Sequence, residues 1–158
     1  MCKMIKTERL HITPLNLSET KCRVYSWTGM VSNQEEEDNF VKYTIQKMEI
    51  APQTHHKWYT IWDAKDSWGN RILECGFICP PTEKIVEVWY YTSKEYMNKG
   101  FATEAIKGLI KFATCFDIQN VCASIAKDNV ASRRVAEKCG LTYLMNNKEM
   151  QVYNLQLK

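Results

Sequence analysis

The residues best placed to do chemistry in this chain are Asn98, Lys99, Gly100, Phe101, Ala102 and Thr103. They lie inside the run Tyr96-Met97-Asn98-Lys99-Gly100-Phe101-Ala102-Thr103-Glu104-Ala105. Gly100 and Ala102 are small, so the backbone can come close to a ligand. The first amides of a helix have no internal partner and face whatever sits above them. With the helix dipole they form an anion site, most often for phosphate, and Lys99 adds a positive charge. The same residues also fit an ordinary tight turn into a helix, because one glycine and one alanine are weak punctuation. Neither GxxxxGK[ST] nor GxGxxG is present, so the run is neither a P-loop nor a dinucleotide fingerprint.

Such a turn has to be held between two regular elements. Lys84 to Thr92 reads as the strand before it, and an amphipathic helix runs from about Ala102 to Phe116 after it. Upstream, Arg9 to Thr13 alternates as a first strand, and Ser18 caps a short helix to about Trp27, broken by Gly29 to Ser32. Asn33 followed by Glu36 approximates a capping box. The helix it opens is expected to reach about Met48, with Phe40, Val41, Thr44, Ile45 and Met48 on one face, before Pro52. Lys57 to Ala64 reads as a strand, with His55-His56 as its solvated approach. Asp66 to Asn70 is a turn, and Ile72 to Cys79 is the returning strand, ended by Pro80-Pro81. Beyond the phosphate turn, Gln119 to Ala126 alternates as a strand, and a helix starts at Asn129 and stops at Gly140. Leu141 to Met145 and Met150 to Leu157 form a hairpin around Asn146-Asn147-Lys148. Helices, a strand meander, a strand–helix–strand unit and a hairpin make the connectivity α+β.

Composition narrows the class. A chain of 158 residues is expected to form one domain, residues 1–158, with a real core. Its 45% hydrophobic and 25% charged residues fit an ordinary soluble globule. No apolar run approaches the roughly 20 residues of a membrane helix, and the opening Met-Cys-Lys-Met-Ile-Lys lacks the apolar stretch of a signal peptide. A cytoplasmic protein with no membrane partner is expected. The seven cysteines include no CxxC pair and are an odd number, so free thiols are expected rather than disulfides or a metal site. His55-His56 lacks the i, i+4 spacing and nearby carboxylates of a catalytic zinc site. A net charge of +3 without a basic stripe argues against nucleic acid.

A second segment gives the turn a context. Asp128-Asn129-Val130-Ala131-Ser132-Arg133-Arg134-Val135-Ala136-Glu137-Lys138-Cys139-Gly140-Leu141 resembles the N-x-x-S-x-x-V-x-E-K-x-G-F signature of GCN5-related N-acetyltransferases. Gly100-Phe101-Ala102-Thr103-Glu104-Ala105 resembles the family's [QR]-x-x-G-x-[GA] acetyl-coenzyme A loop at the right distance upstream. Thr7-Glu8-Arg9-Leu10-His11-Ile12-Thr13-Pro14-Leu15 looks like the T-E-R-L-x-L-R-P-L opening common in the branch that acetylates ribosomal-protein N-termini. The resemblance covers nearly the whole chain. It implies a mixed, mostly antiparallel sheet with helices on both faces, and acetyl-coenzyme A as cofactor. It also implies an acetyltransferase acting by direct transfer on a primary amine, at a protein N-terminus or on a small molecule. Three positions depart from the pattern: Met97 replaces the loop's Gln or Arg, Trp89 a frequent strand glycine, and Ala136 the tyrosine that many members use as general acid.

The resemblance also implies roles. The amides and side chains of Asn98, Lys99, Gly100, Phe101, Ala102 and Thr103 hold the diphosphate, with Arg134 near it. The strand backbone at about Tyr91, Thr92 and Ser93 pairs with the pantetheine arm between two splayed strands, and a backbone amide near Tyr90 or Tyr91 meets the oxyanion. Asn129 either caps its helix or bonds pantetheine. Ser132, or a water, supplies the leaving thiolate with a proton, or Ser132 only bonds the first helical turn. Glu87 is the candidate base, because it shares a strand face with Trp89 and Tyr91, whose rings would desolvate it; the alternative is a surface glutamate. The acids Glu35, Glu36, Glu37 and Asp38 suit a helix N-terminus or attract a cationic amine. Two rivals stay open. One is a non-catalytic acyl-coenzyme A-binding or sensor module, which Met97 and Ala136 favour; the other is a structural interaction domain. Exposed strand edges leave room for a homodimer.

Overall fold

The computed structural model describes residues 4–23 and 34–158. Its strands are β1 (Ile5–Lys6), β2 (His11–Pro14), β3 (Trp62–Lys65), β4 (Arg71–Phe77), β5 (Ile85–Thr92), β6 (Asn120–Ala126), β7 (Thr142–Asn147) and β8 (Met150–Gln156). The helices are α1 (Leu17–Arg23), α2 (Gln34–Ile50), α3 (His56–Tyr59), α4 (Phe101–Ala113) and α5 (Val130–Lys138). The strands lie side by side in the order β1-β2-β3-β4-β5-β6-β8-β7. Neighbours are antiparallel except β5 and β6, which are joined through α4 and run parallel. This is the mixed α+β sheet expected, with helices on both faces.

Alternation divides the sheet into two faces. Trp62, Ala64, Leu73, Cys75, Phe77, Val86 and Val88 turn their side chains to one face and are buried there. Helix α4 covers that face with Ala105, Ile106, Leu109 and Phe112, whose spacing makes one apolar stripe. Trp58, Trp62, Phe77 and Phe112 pack edge to face, with Trp58 4.8 Å from Phe77 and Trp62 5.2 Å from Phe112 between centroids. Gly108 lets α4 press on the first strands, because a Cβ there would stand 3.1 Å from Ile5 Cγ2.

The opposite face carries Asp63 and Glu74, both buried. Buried charges need partners. Arg23 of α1 pairs with Glu74, and Arg71 donates to Asp63 at 3.1 Å. Burial, then Arg71, lower the Arg23 pKa against the opposing pull of Asp63 and Glu37. Glu37 is itself buried, so the acidic start of α2 does more than complement a helix dipole.

One element differs from expectation. Lys57 to Ala64 is a helical turn followed by a strand, since His56 to Tyr59 forms α3 and only Trp62 to Lys65 joins the sheet. Trp58, Ile61 and Trp62 are buried, a helical spacing that bends into a strand. The Trp62 indole donates to Lys57 O at 2.9 Å and Thr60 Oγ1 to Leu15 O at 2.7 Å, which fix the corner. Accordingly His55 and His56 are helical, with the His56 ring 3.2 Å from Ala51 O. The expected Asn33 cap and the stretch from Gly29 to Ser32 lie outside the described residues, as does the end of the first helix beyond Arg23.

Candidate active site

The expected anion turn is built from left-handed backbone. After β5, a single 3-10 turn (Lys94–Tyr96) leads to Asn98 at φ 59° and Gly100 at φ 80°. Asparagine and glycine adopt this conformation most readily. Met97 N still donates to Lys94 O, and Glu104 N to Gly100 O. Between them, the amides of Asn98 through Thr103 meet no acceptor among the described residues. Asn98, Gly100, Phe101, Ala102 and Thr103 border a cleft of about 660 Å³, whose far wall includes Asn129, Ser132, Arg134 and Lys138 of the α5 region. Thr92 also lines it, and Thr92 Oγ1 is buried without a partner among the described residues. Unpaired amides, an orphaned hydroxyl and two cations make a wall suited to a phosphorylated ligand with polar links.

Lys99 departs from its expected place. Its ammonium sits 5.6 Å from the Tyr96 ring centroid, and its side chain does not line the cleft. Lys138 lines the cleft instead, alongside Arg134. The sequence reading passed over Lys138, although it belongs to the Glu-Lys pair of the second motif.

Next to this cleft the sheet opens. β5 and β6 pair at Ile85↔Asn120, Val86↔Val121 and Glu87↔Cys122, and no further. A second cavity of about 350 Å³ fills the fork, lined by Glu87, Trp89, Tyr91, Ser124, Ala136 and Met150 among others. Ser124 N, which would continue the ladder, donates instead to Glu87 Oε1 at 3.2 Å. Glu87 therefore stands where the strands part. Trp89 and Tyr91 accompany it, as strand parity requires. Trp89 is fixed by Phe40, 4.9 Å away edge to face, and by a bond from its indole to Phe77 O. Gly76 leaves the room, since a Cβ there would be 3.2 Å from Trp89 Nε1.

Register decides which β5 backbone groups face the fork. Ile78 N donates to Glu87 O, and Ser93 N to Ile72 O, so odd-numbered residues of β5 turn their backbone to β4. Tyr90 and Thr92 turn theirs the other way. The amide of Ser93 is thus taken by the protein, which corrects the expectation that Ser93 offers free backbone, and Tyr91 contributes its side chain rather than its amide.

The side chain of Tyr90 was not foreseen. Its hydroxyl donates to Ser132 Oγ at 2.9 Å, and both residues line both cavities. Burial raises the pKa of that hydroxyl, so it stays protonated at neutral pH. The Tyr91 hydroxyl is pushed up too, first by burial and then by Glu36. Asn129 Oδ1 accepts from Ser132 N at 3.0 Å and caps α5. Cys122, beside Glu87, has its thiol pushed up to about 11 by burial, then by Glu87 and Cys79. Among the described residues no group of His, Cys, Asp and Glu could hold a metal ion, and no helix is long and apolar enough to cross a membrane.

Residues 8–142 match the acetyltransferase (GNAT) domain, and the chain belongs to that family. The N-acetyltransferase YjdG of Bacillus subtilis, itself uncharacterized, is 30% identical over 78 residues, which are 48% of this chain and 45% of that protein. The match thus spans a little under half the length of this curated relative. A Vibrio cholerae structure provisionally described as a ribosomal-protein-serine acetyltransferase superposes with a TM-score of 0.72 at 17% identity, over 99% of this chain and 98% of that one. RimL, a ribosomal L7/L12 alpha-N-protein acetyltransferase solved with coenzyme A, gives a TM-score of 0.71 at 15% identity, over 98% of both chains.

Proposed function

We propose that this chain is an acetyl-coenzyme A-dependent N-acetyltransferase that acts by direct transfer on a primary amine, with a protein N-terminus as the favoured acceptor. One observation carries the reading. In a chain of this family, the amides of Asn98 and of Gly100 through Thr103, unpartnered among the described residues, border a cleft that continues into the fork between β5 and β6.

The amides of Asn98 to Thr103 hold the diphosphate, and Arg134 and Lys138 balance its charge. The Thr92 hydroxyl and the backbone of Tyr90 and Thr92 meet the amides of the pantetheine arm. When bound, the cofactor supplies the acetyl group and a thiol leaving group. The Tyr90 amide faces the fork and is the donor for negative charge on the acetyl oxygen. Ser132 would supply a hydroxyl proton to the leaving thiolate and take one from the Tyr90 hydroxyl bonded to its Oγ, which solvent water in the cleft then reprotonates. That pair takes over the task of the tyrosine missing at Ala136. Glu87, in the fork, receives the proton of the amine. Cys122, with its raised thiol, carries too little thiolate at neutral pH to serve as a relay for the acetyl group, which favours direct transfer.

The test is calorimetric titration with coenzyme A, followed by a panel of peptide and small-molecule amines with acetyl-coenzyme A. Binding with transfer to an α-amine supports the proposal. Binding without transfer to any amine makes the chain an acyl-coenzyme A-binding module. No heat and no thermal shift at millimolar ligand reject it altogether.

A further inference from the structure

The opening motif Thr7-Glu8-Arg9-Leu10 has no part in the cleft walls, yet it lies directly behind them. Arg9 sits in the connection between β1 and β2. Its Nε pairs with Glu104 Oε2 at 2.7 Å, and its Nη1 donates to Lys99 O at 2.9 Å. Its guanidinium lies 4.2 Å from the centroid of the Phe101 ring. Its Nη2 stands 3.4 Å from where a Cβ on Gly100 would be. The Arg9 amide donates to Glu104 Oε1 at 2.7 Å, and the Thr7 hydroxyl donates to the same oxygen. One side chain therefore touches Lys99, Phe101 and Glu104 and lies beside Gly100, along the segment that turns into α4.

The direction of these contacts matters. In a trans peptide the carbonyl and the N–H point opposite ways. The chain has no cis bonds among its described residues. Holding Lys99 O on the Arg9 side turns the Gly100 N–H away from Arg9, and Gly100 lines the cleft on its other side. Stacking on Phe101 and pairing with Glu104 fix the guanidinium at both ends, so the peptide plane cannot swing without breaking them.

We infer that Arg9 is a positioning residue that aims the Gly100 amide into the cleft from behind, with Glu104 and Thr7 as its anchor. Its work is confined to the diphosphate end of the ligand. This rests on the coenzyme A reading above, and the test separates the two.

Affinity for coenzyme A is measured by calorimetry for the wild-type chain and for Arg9→Ala, Arg9→Lys and Glu104→Gln. In parallel, kcat/KM is measured with S-acetylpantetheine, which lacks the diphosphate. Arg9→Ala is expected to weaken coenzyme A roughly ten-fold, the scale of one lost charge-assisted bond, and to leave kcat/KM with S-acetylpantetheine unchanged. Arg9→Lys keeps the charge without the fork that spans Lys99 O and Glu104, so it falls between the two. Glu104→Gln keeps an acceptor for Thr7 and the Arg9 amide but sets its NH2 against Arg9 Nε, so the ion pair and its hydrogen bond are lost while Nη1 can still hold Lys99 O; a smaller loss in the same direction is expected, and the variant serves if Arg9→Ala fails to fold. Wild-type binding with equal affinity in all variants overturns the inference alone. So does Arg9→Lys binding as wild type, which would leave only charge, or an equal loss with both ligands, which would mean general damage. Absence of coenzyme A binding by the wild-type chain overturns this inference together with the reading beneath it.

Discussion

Replacing Gly100 by alanine separates backbone conformation from bulk. Gly100 has φ 80°, and a Cβ added to it would point at Arg9 Nη2, 3.4 Å away, rather than into the cleft. That distance is ordinary contact, so the methyl does not block the ligand and costs little by packing. The left-handed backbone costs an L-residue roughly 1–2 kcal/mol. The protein can keep the strained turn and lose that stability, or relax the turn and let the ligand restore it. Thermodynamics bounds the second outcome. The ligand cannot lose more affinity than the strain it has to restore, which at about 1.4 kcal/mol per decade is roughly five- to thirty-fold. Thermal unfolding and coenzyme A calorimetry read the two shares. Roughly 2–4 °C of Tm per kcal/mol is expected for a chain of this size. The sum of the stability loss without ligand and the affinity loss stays near 1–2 kcal/mol for alanine. Gly100→Val adds a displaced Arg9 and loses more affinity. Unchanged affinity and stability in both variants would refute the view that this backbone shapes the site.

Tyr90→Phe leaves Ser132 without its donor; kcat is expected to drop about two- to ten-fold, the scale of a neutral hydrogen bond. The drop should shrink with thioesters whose leaving thiols are more acidic, and an equal drop for all thioesters would remove the relay. Arg23→Met leaves the buried carboxylate of Glu74 without its cation, while Asp63 keeps Arg71, and is expected to cost about 3–5 kcal/mol in urea unfolding. The double change Arg23→Met with Glu74→Met should recover most of that, and a single-variant loss under about 1 kcal/mol would show the pair to be dispensable.

The elements that make the site were legible where local pattern and tertiary burial agree. The amphipathic stretch expected from about Ala102 to Phe116 is α4, Phe101–Ala113, and the strand expected from Lys84 to Thr92 is β5, Ile85–Thr92. Asp66 accepts the amides of Trp68 and Asn70, so that turn was local chemistry and readable. The corner at Trp58 to Trp62 was not, because a run rich in aromatic and β-branched residues reads as a strand while burial against Phe77 and Phe112 imposes a helical turn. The free backbone at Tyr90 rather than Ser93 follows from register with β4, which no local signal encodes. Arg9 and Glu104 are far apart in sequence, so their union was invisible. Parity did separate Tyr90 from Glu87, and with Ala136 lacking a phenol, the opposite face was the place to look for one.

The acceptor's own basicity decides how much Glu87 has to do. At pH 7 a lysine amine is about one part in two thousand neutral, whereas a protein N-terminal amine is roughly one tenth neutral, a difference of about two hundred-fold. Glu87 is already committed to the fork through the amide of Ser124. Glutamine at that position can still accept this bond, so Glu87→Gln changes proton transfer while keeping the strands apart. If Glu87 takes the amine's proton, the rate loss is largest near neutral pH and shrinks as the amine loses its proton in solution. The loss is also larger for a lysine side chain than for an α-amine of the same peptide. A pH–rate profile for both acceptors measures this directly. A loss that is equal across pH and across both amines would assign Glu87 to the architecture of the fork and leave water to take the proton, which an N-terminal amine tolerates far better than a lysine.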